Sequence, residues 1–179
     1  MSTKTTFKLA YLCILAPALV AGVAQLGSPA PDFTIKDQYE HEVQLSSQRG
    51  KLVLLIYGDR LGSDYMGAWA RAIGQSPVAP SVNVLRIANL RVVPSMFYSY
   101  VKKQFRKPNS DGKPSSPVLL DWDGTVAKAY GFTDDLTNVY LIDQNGVLRY
   151  VACGKGTPTE TGKLLEMVTN LGRNEEATN

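Results

Sequence analysis

Cysteine and histidine, which supply thiolate nucleophiles and imidazole metal ligands, are rare in this chain of 179 residues. The cysteines are Cys13 and Cys153, and His41 is the single histidine. A thiolate attacks peroxides and disulfides, and imidazole binds metal ions, but a metal site needs several such ligands converging on one point. We therefore predict no metal site and no cofactor, with His41 a surface residue in a polar hairpin.

Cys153 follows a predicted strand, in the stretch Tyr150-Val-Ala-Cys-Gly154. One interpretation is a plain buried or edge thiol, which packs like a small apolar side chain. The alternative is a reactive thiol that attacks peroxide or pairs with a partner's thiol. Cys13 lies in an N-terminal apolar run that is expected to be removed, so we predict no internal disulfide.

An acidic pair follows another predicted strand, in Asp121-Trp-Asp-Gly-Thr125. This text resembles the first motif of haloacid-dehalogenase-type phosphatases, in which Asp121 would be the nucleophile and Asp123 the general acid/base beside magnesium. The later motifs of such an enzyme are not found, since Asp134-Asp135 comes too soon. A turn into a short helix is the preferred interpretation, and the phosphatase is a remote alternative.

The composition favours one globular domain. Hydrophobic residues make up 44% and charged residues 20% of the chain, which suits a single core of roughly 100 to 200 residues. The net charge of +3 arises from 19 basic and 16 acidic residues. A mixed surface of this kind does not favour nucleic acid as a partner.

The N-terminus has the pattern of a secretory signal peptide. Lys4 and Lys8 precede an uncharged, mostly apolar run over residues 9–24, which a proline interrupts and which ends in small residues. The run is shorter than the ~20 residues of a comfortable membrane span. We predict that residues 1–24 are cleaved and that the protein is periplasmic or secreted. A retained anchor, which alone would bring it to a membrane, and a buried core helix are the alternatives.

Apolar patterns predict an alternation of strands and helices. The continuous apolar run 51–57, bounded by glycines, is typical of a strand buried on both faces. Asp143-Gln-Asn-Gly146 predicts a hairpin turn between two closing strands. The other predicted elements are a hairpin within 32–45, a helix over 63–73, a strand over 81–87, a helix from 94 to 105, a strand over 117–121, a helix over 125–130, strands over 138–142 and 147–151, and a helix over 158–171.

Three stretches of this text resemble the thioredoxin-like redoxins. They are Gly27-Ser-Pro-Ala-Pro-Asp-Phe33, then Pro117-Val-Leu-Leu-Asp-Trp-Asp-Gly124, and Val139-Tyr-Leu-Ile-Asp-Gln-Asn-Gly146. The class includes the alkyl hydroperoxide reductase/thiol-specific antioxidant proteins and the TlpA-type proteins. The resemblance implies an α/β fold: a thioredoxin-like three-layer sandwich with a central mixed sheet and an N-terminal hairpin. This domain covers residues 27–172, and a polar tail covers 173–179.

The chemistry of such proteins lies in the loop after the first buried strand. In the thioredoxin frame its two cysteine positions hold Leu61 and Asp64, and in the peroxiredoxin frame the cysteine position holds Met66. Thr137 stands where many thioredoxins have a cis-proline. The resemblance therefore implies the fold without its thiol nucleophile. The loop text is most similar to the cysteine-poor exported YtfJ-type proteins.

The same loop is the candidate binding site. It joins the carboxyl end of a buried strand to a helix N-terminus, where free backbone N–H groups can hold an anion. The alternative is that Ser63 or Asp64 merely caps the helix and that Arg60 pairs with Asp59. The candidate binding residues are Asp59, Arg60, Ser63, Asp64, Tyr65 and Thr137.

These observations favour an exported thioredoxin-fold module that binds without thiol catalysis. Its expected partner is another exported protein or a small anionic ligand. The enzyme alternative is a thiol-dependent oxidoreductase or peroxidase that uses Cys153.

Overall fold

The computed structural model describes residues 23–109 and 111–176. Residues 1–22, which carry Cys13 and most of the predicted signal peptide, lie outside the described residues. In the part of the chain that is described, no helix combines the length and apolar character needed to cross a membrane.

The described residues form a two-stranded hairpin, a five-stranded sheet and four α-helices. The strands are β1 (Thr34–Lys36), β2 (Glu42–Gln44), β3 (Leu52–Gly58), β4 (Val82–Asn89), β5 (Leu119–Asp121), β6 (Thr137–Ile142) and β7 (Leu148–Gly154). The α-helices are α1 (Ser63–Gly74), α2 (Tyr98–Phe105), α3 (Thr125–Tyr130) and α4 (Pro158–Glu176). Short 3-10 helices cover Leu45–Gln48, Ala79–Ser81 and Ser95–Phe97.

The sheet has the strand order β5-β4-β3-β6-β7. The strands β3, β4 and β5 are parallel, whereas β6 pairs antiparallel with both β3 and β7, as the predicted mixed sheet requires. Parallel neighbours need crossover connections, which α1 and α2 provide. The predicted β6–β7 hairpin is confirmed, and Gly146 at its turn has a φ of 81°, a conformation that glycine adopts without steric cost.

Strand β3 forms the centre of two cores. Each of its residues is buried, which confirms the prediction from its apolar run. On one face, Leu54 and Ile56 pack in a cluster with Trp69 of α1 and Leu164 of α4. On the other face, the alternate residues of β3 pack with α3 and the N-terminal hairpin, so helices and hairpin form outer layers on a central sheet.

Helix α2 lies on the same face as α1. Its residues Val101 and Phe105 pack against Ala88 of β4 and Leu120 of β5. Successive strand side chains alternate between faces, so Ala88 points to the same face as Val82, which belongs to the core beneath α1. The two helices therefore stand side by side over β4.

The side chain of Gln38 is fully buried and ties the hairpin to the segment that precedes β5. Its Nε2 donates to the Ser116 carbonyl at 3.1 Å, and its Oε1 accepts the Val118 N–H at 2.8 Å. The Arg106 Nε at the end of α2 donates to the Gln38 carbonyl at 2.5 Å. These bonds anchor the carboxyl end of α2 and the loop after it.

Several element bounds differ from the sequence prediction. Cys153 lies inside β7 rather than after it, because β7 stays paired with β6 as far as Gly154. The predicted strand over 117–121 pairs with β4 only from Leu119 onward, and α4 continues beyond residue 171 to Glu176. The helix predicted from Pro94 opens with a 3-10 turn and becomes α-helical at Tyr98.

Truncating a leucine of β3 tests whether this strand carries the stability of the fold. Leu54 is fully buried, so Leu54→Ala leaves a cavity and is expected to lower the free energy of unfolding by about 2–5 kcal/mol. Leu61→Ala is the matched control, since that side chain is 53% exposed and should cost less than about 0.5 kcal/mol. Urea denaturation measures both, and equal losses would contradict the assigned core.

Candidate functional site

Asp59 shapes the loop between β3 and α1. Its Oδ1 accepts the N–H groups of Leu61 at 3.1 Å and Gly62 at 2.8 Å. Its Oδ2 accepts the Asp135 N–H at 2.9 Å, which joins the loop to the segment before β6. The carboxylate is thus engaged by backbone donors on both oxygens.

Gly62 and Thr137 hold the same loop against β6. The Thr137 hydroxyl donates to the Gly62 carbonyl at 2.7 Å, and its side chain is fully buried. A Cβ on Gly62 would lie 2.3 Å from the Leu136 carbonyl oxygen, so only glycine permits this approach. Thr137, predicted as a binding residue, therefore positions the loop from within the core.

The start of α1 differs from the expected helix cap. The N-cap residue is Gly62, and no side chain caps the helix. The Ser63 hydroxyl instead donates to the Arg60 carbonyl at 2.8 Å, so the prediction that Ser63 or Asp64 caps the helix is wrong. Among the described side chains, Arg60 forms no ion pair with Asp59, whose oxygens face backbone N–H groups.

A cleft of about 1250 Å³ opens beside this loop, between α1 and α2. The predicted residues Asp59, Arg60 and Ser63 line it, together with Leu61 and Met66. The predicted residues outside the cleft are Asp64, Tyr65 and Thr137. Tyr65 lies instead beneath the Lys155 Nζ, which is 5.3 Å from its ring centre.

The sequence analysis did not predict the residues that form the floor of the cleft and the wall opposite α1. Arg86 and Ala88 of β4 form part of its lining, and Gln104 and Phe105 of α2 line the opposite side from α1. The sequence could have indicated Arg86, because a charged residue within a mostly apolar strand predicts that its side chain reaches solvent or a cavity. The contribution of α2 depends on tertiary packing that no local pattern reports.

Cys153 lies on the other side of the sheet. It pairs with Asn138, which pairs with Tyr57, and side chains directly opposite each other across strands point to the same face. Tyr57 belongs to the core under α3, so Cys153 faces away from α1 and the cleft. Its thiol is exposed and does not line the cleft.

Asp121 at the end of β5 is fully buried, as is Tyr57, whose hydroxyl donates to the Asp121 Oδ2. The same oxygen accepts the Ala127 N–H of α3 at 3.0 Å, whereas Oδ1 has no N–H or O–H donor among the described residues. This geometry gives Asp121 the role of joining β3, β5 and α3, with no exposed oxygen for attack on a substrate.

The pKa values of the two carboxyl groups in this turn are shifted in opposite directions. Burial raises the pKa of Asp121, hydrogen bonds from Tyr57 and Ala127 lower it in part, and the neighbouring Asp123 raises it further. The pKa of Asp123 is lowered, chiefly by the Thr125 N–H. The fold therefore favours the protonated form of Asp121 and the ionised form of Asp123.

His41 lies on the turn of the N-terminal hairpin, with 75% of its side chain exposed. Its Nδ1 is 3.1 Å from the buried Asp37, which also accepts the N–H groups of Tyr39 and His41. The described residues contain no group of three or more potential metal ligands.

Comparisons with known proteins agree with this architecture. No family model matches the chain. The thiol-disulfide oxidoreductase ResA of Geobacillus kaustophilus is 25% identical over 151 residues, which cover 80% of this chain and 78% of that protein. The chloroplastic peroxiredoxin Q of Triticum aestivum is 25% identical over 160 residues, covering 86% and 70% respectively.

Solved structures share the fold at lower identity. The exposed lipoprotein thioredoxin of Streptococcus pneumoniae has a TM-score of 0.59 at 19% identity, with 79% of this chain and all of that chain covered. A thiol:disulfide interchange protein DsbE from Chlorobium tepidum has a TM-score of 0.60 at 18% identity, with 83% and 98% covered. The chain has a thioredoxin-like fold and is similar to redoxins of that fold. Its predicted fold class is confirmed, and its loop after β3 carries no cysteine.

The fit of Gly62 against β6 can be tested by adding one methyl group. Gly62→Ala is expected to lower the free energy of unfolding of the protein by about 1–3 kcal/mol, because the Leu136 carbonyl must move. Gly74→Ala at the end of α1 is the control, since nothing lies within 4 Å of its added Cβ. Chemical denaturation compares them, and a Gly62→Ala variant as stable as the control would contradict the packed loop.

The raised pKa of Asp121 predicts a pH-dependent stability. Because the folded pKa lies above the unfolded value, this group stabilises the fold most fully below about pH 4, and the contribution is lost as pH rises through the folded pKa. Asp121→Asn cannot ionise. The unfolding free energy of the variant, relative to wild type, should therefore rise as the pH increases above about 4.

Urea denaturation at a series of pH values above about 4 measures the difference in unfolding free energy between Asp121→Asn and wild type. Asp111→Asn is the control, because Asp111 lies on an exposed loop. A constant difference between Asp121→Asn and wild type would show that Asp121 does not titrate in this way.

Proposed function

We propose that this redoxin-like protein is an exported binding module that works without thiol chemistry. One observation carries the proposal: the β3–α1 loop lines a large cleft and carries no cysteine, and the resemblance aligns Leu61, Asp64 and Met66 with the nucleophilic cysteines of redoxins. Disulfide exchange and peroxide reduction both begin with attack by a thiolate, which none of these side chains supplies. The likeness of the loop to the cysteine-poor YtfJ-type proteins supports the same assignment.

Export is supported by the sequence and by the kind of relatives. The run over residues 9–24 has the order of a secretory signal. Relatives in fold include a protein named as an exposed lipoprotein thioredoxin and one named DsbE. We place the mature protein in the periplasm or outside the cell, with a membrane attachment only if residues 9–24 are retained.

The proposed binding surface is the rim formed by the loop 59–65 together with the cleft. Arg60 and Ser63 are exposed on this rim, and Arg60 has no ion-pair partner among the described side chains. A free guanidinium with five N–H donors suits a carboxylate or phosphate. An exported protein with an acidic surface or a small anionic ligand fits this chemistry.

A thiol-dependent oxidoreductase or peroxidase is the second candidate. The observation in its favour is the exposed thiol of Cys153 on β7, which a peroxide or a partner's disulfide could reach. This mechanism would place the nucleophile on the face of the sheet opposite the cleft.

Turnover with a dithiol reductant separates the two functions. The purified chain and its Cys153→Ser variant are expected to consume peroxide only at the rate of the reductant alone, because the loop holds no thiolate. A thiol peroxidase assayed in parallel establishes that the reductant is competent. Turnover by wild type that disappears in Cys153→Ser would overturn the proposal and establish the thiol enzyme.

A further inference from the structure

The cleft is built as a trough over the central sheet. Met66 and Ala70 of α1 line one side, and Phe105 of α2 and Val118 before β5 line the other. The floor includes Ala88. Its volume of about 1250 Å³ lies above the roughly 300–1,000 Å³ of typical small-ligand pockets, so it has room for an extended molecule.

Apolar groups dominate the middle of this trough. Besides those walls, Leu90 and Val93 beyond β4 contribute apolar surface. Burying a hydrocarbon chain here gains about 25 cal/mol per Å² of apolar area removed from water. The trough therefore favours a ligand with an apolar body.

Arg86 places a positive charge at the inner part of the trough. Its side chain lies on the floor strand β4 and is partly buried, which lowers the pKa of its guanidinium. The protein supplies one acceptor, the Pro117 carbonyl, at the long distance of 3.4 Å. No ion pair to Arg86 occurs among the described side chains. Most donors of this half-buried guanidinium are therefore left to solvent or to an anion in the trough.

The other charges of the cleft leave the balance positive. Asp134 accepts two hydrogen bonds from Arg91 at 2.6 and 2.8 Å, so these two charges offset each other. The other carboxylates of the lining are Asp59 and Asp135, against the cations Arg60, Arg86 and Lys107, which leaves one positive charge in excess. An anionic group is therefore favoured over a cationic one.

We propose that this cleft binds a small amphipathic carboxylate, whose carboxylate pairs with Arg86 and whose apolar chain lies between α1 and α2. The proposal deepens the binding function above and rests on it. Along β4, the floor from Arg86 to Leu90 spans roughly 13 Å at 3.3 Å per residue. An extended hydrocarbon chain anchored at Arg86 can thus run along the apolar middle toward the rim at Arg60.

Isothermal titration of the purified chain with decanoate tests this assignment. Decanoate is expected to bind, and decyltrimethylammonium, which has the same chain and the opposite charge, to bind at least tenfold more weakly. Acetate, which lacks the chain, should not bind measurably. Each methylene removed between decanoate and hexanoate should weaken binding by up to about fourfold.

Arg86→Gln is expected to weaken decanoate binding by about 10- to 150-fold, the loss of a hydrogen-bonded charge. Arg86→Lys keeps the charge and should retain the preference for decanoate over decyltrimethylammonium. Arg173→Gln is the matched control, because Arg173 is exposed on α4 and does not line the cleft. Circular dichroism and urea denaturation establish that each variant is folded.

Three results would overturn the ligand class: no binding of decanoate to wild type, equal binding of the two surfactants, or unchanged affinity in folded Arg86→Gln. These results would leave the thiol-independent function standing if peroxide turnover is also absent. Turnover that depends on Cys153 would instead overturn the proposed function itself.

Discussion

Strand β3 pairs in parallel with β4 and antiparallel with β6, and all of its residues are buried. The two halves of the sheet and the layers on its two faces are therefore built on the register of this one strand. A slip of one residue would exchange the side chains that face α1 with those that face α3. The loop after β3 consequently starts from a rigid position, whatever side chains it carries.

That loop keeps its conformation through groups other than thiols. The Asp59 carboxylate binds backbone N–H groups, and the Gly62 carbonyl accepts the Thr137 hydroxyl. None of these contacts involves the side chains of Leu61 or Asp64. The conformation of the loop is thus physically independent of any thiol, and sites of different character can occupy the same place in this fold.

Local patterns predicted the elements well, since an apolar run, an Asn-Gly turn and helical spacing are properties of neighbouring residues. They did not predict contacts between distant segments. Gln38 lies in a polar turn, and nothing beside it in sequence indicates that it is buried against the residues before β5. The expected cap at Ser63 was wrong because Asp59 and Gly62 already organise the helix start. Three of the six predicted binding residues therefore line the cleft, whereas the residues that α2 contributes to it could not be predicted.

The position of α2 decides what Arg86 faces. The hairpin holds α2 through the Arg106–Gln38 hydrogen bond at its carboxyl end and through an ion pair of 2.6 Å between Lys102 and Glu40. With α2 anchored to the hairpin, the surface of β4 between α1 and α2 stays open, and a guanidinium there keeps access to water instead of being enclosed by apolar side chains. An arginine in a central strand then destabilises the fold only slightly, because solvent or an anion can accept the hydrogen bonds of its guanidinium. The chemistry of the cleft thus depends on a hairpin that does not line it.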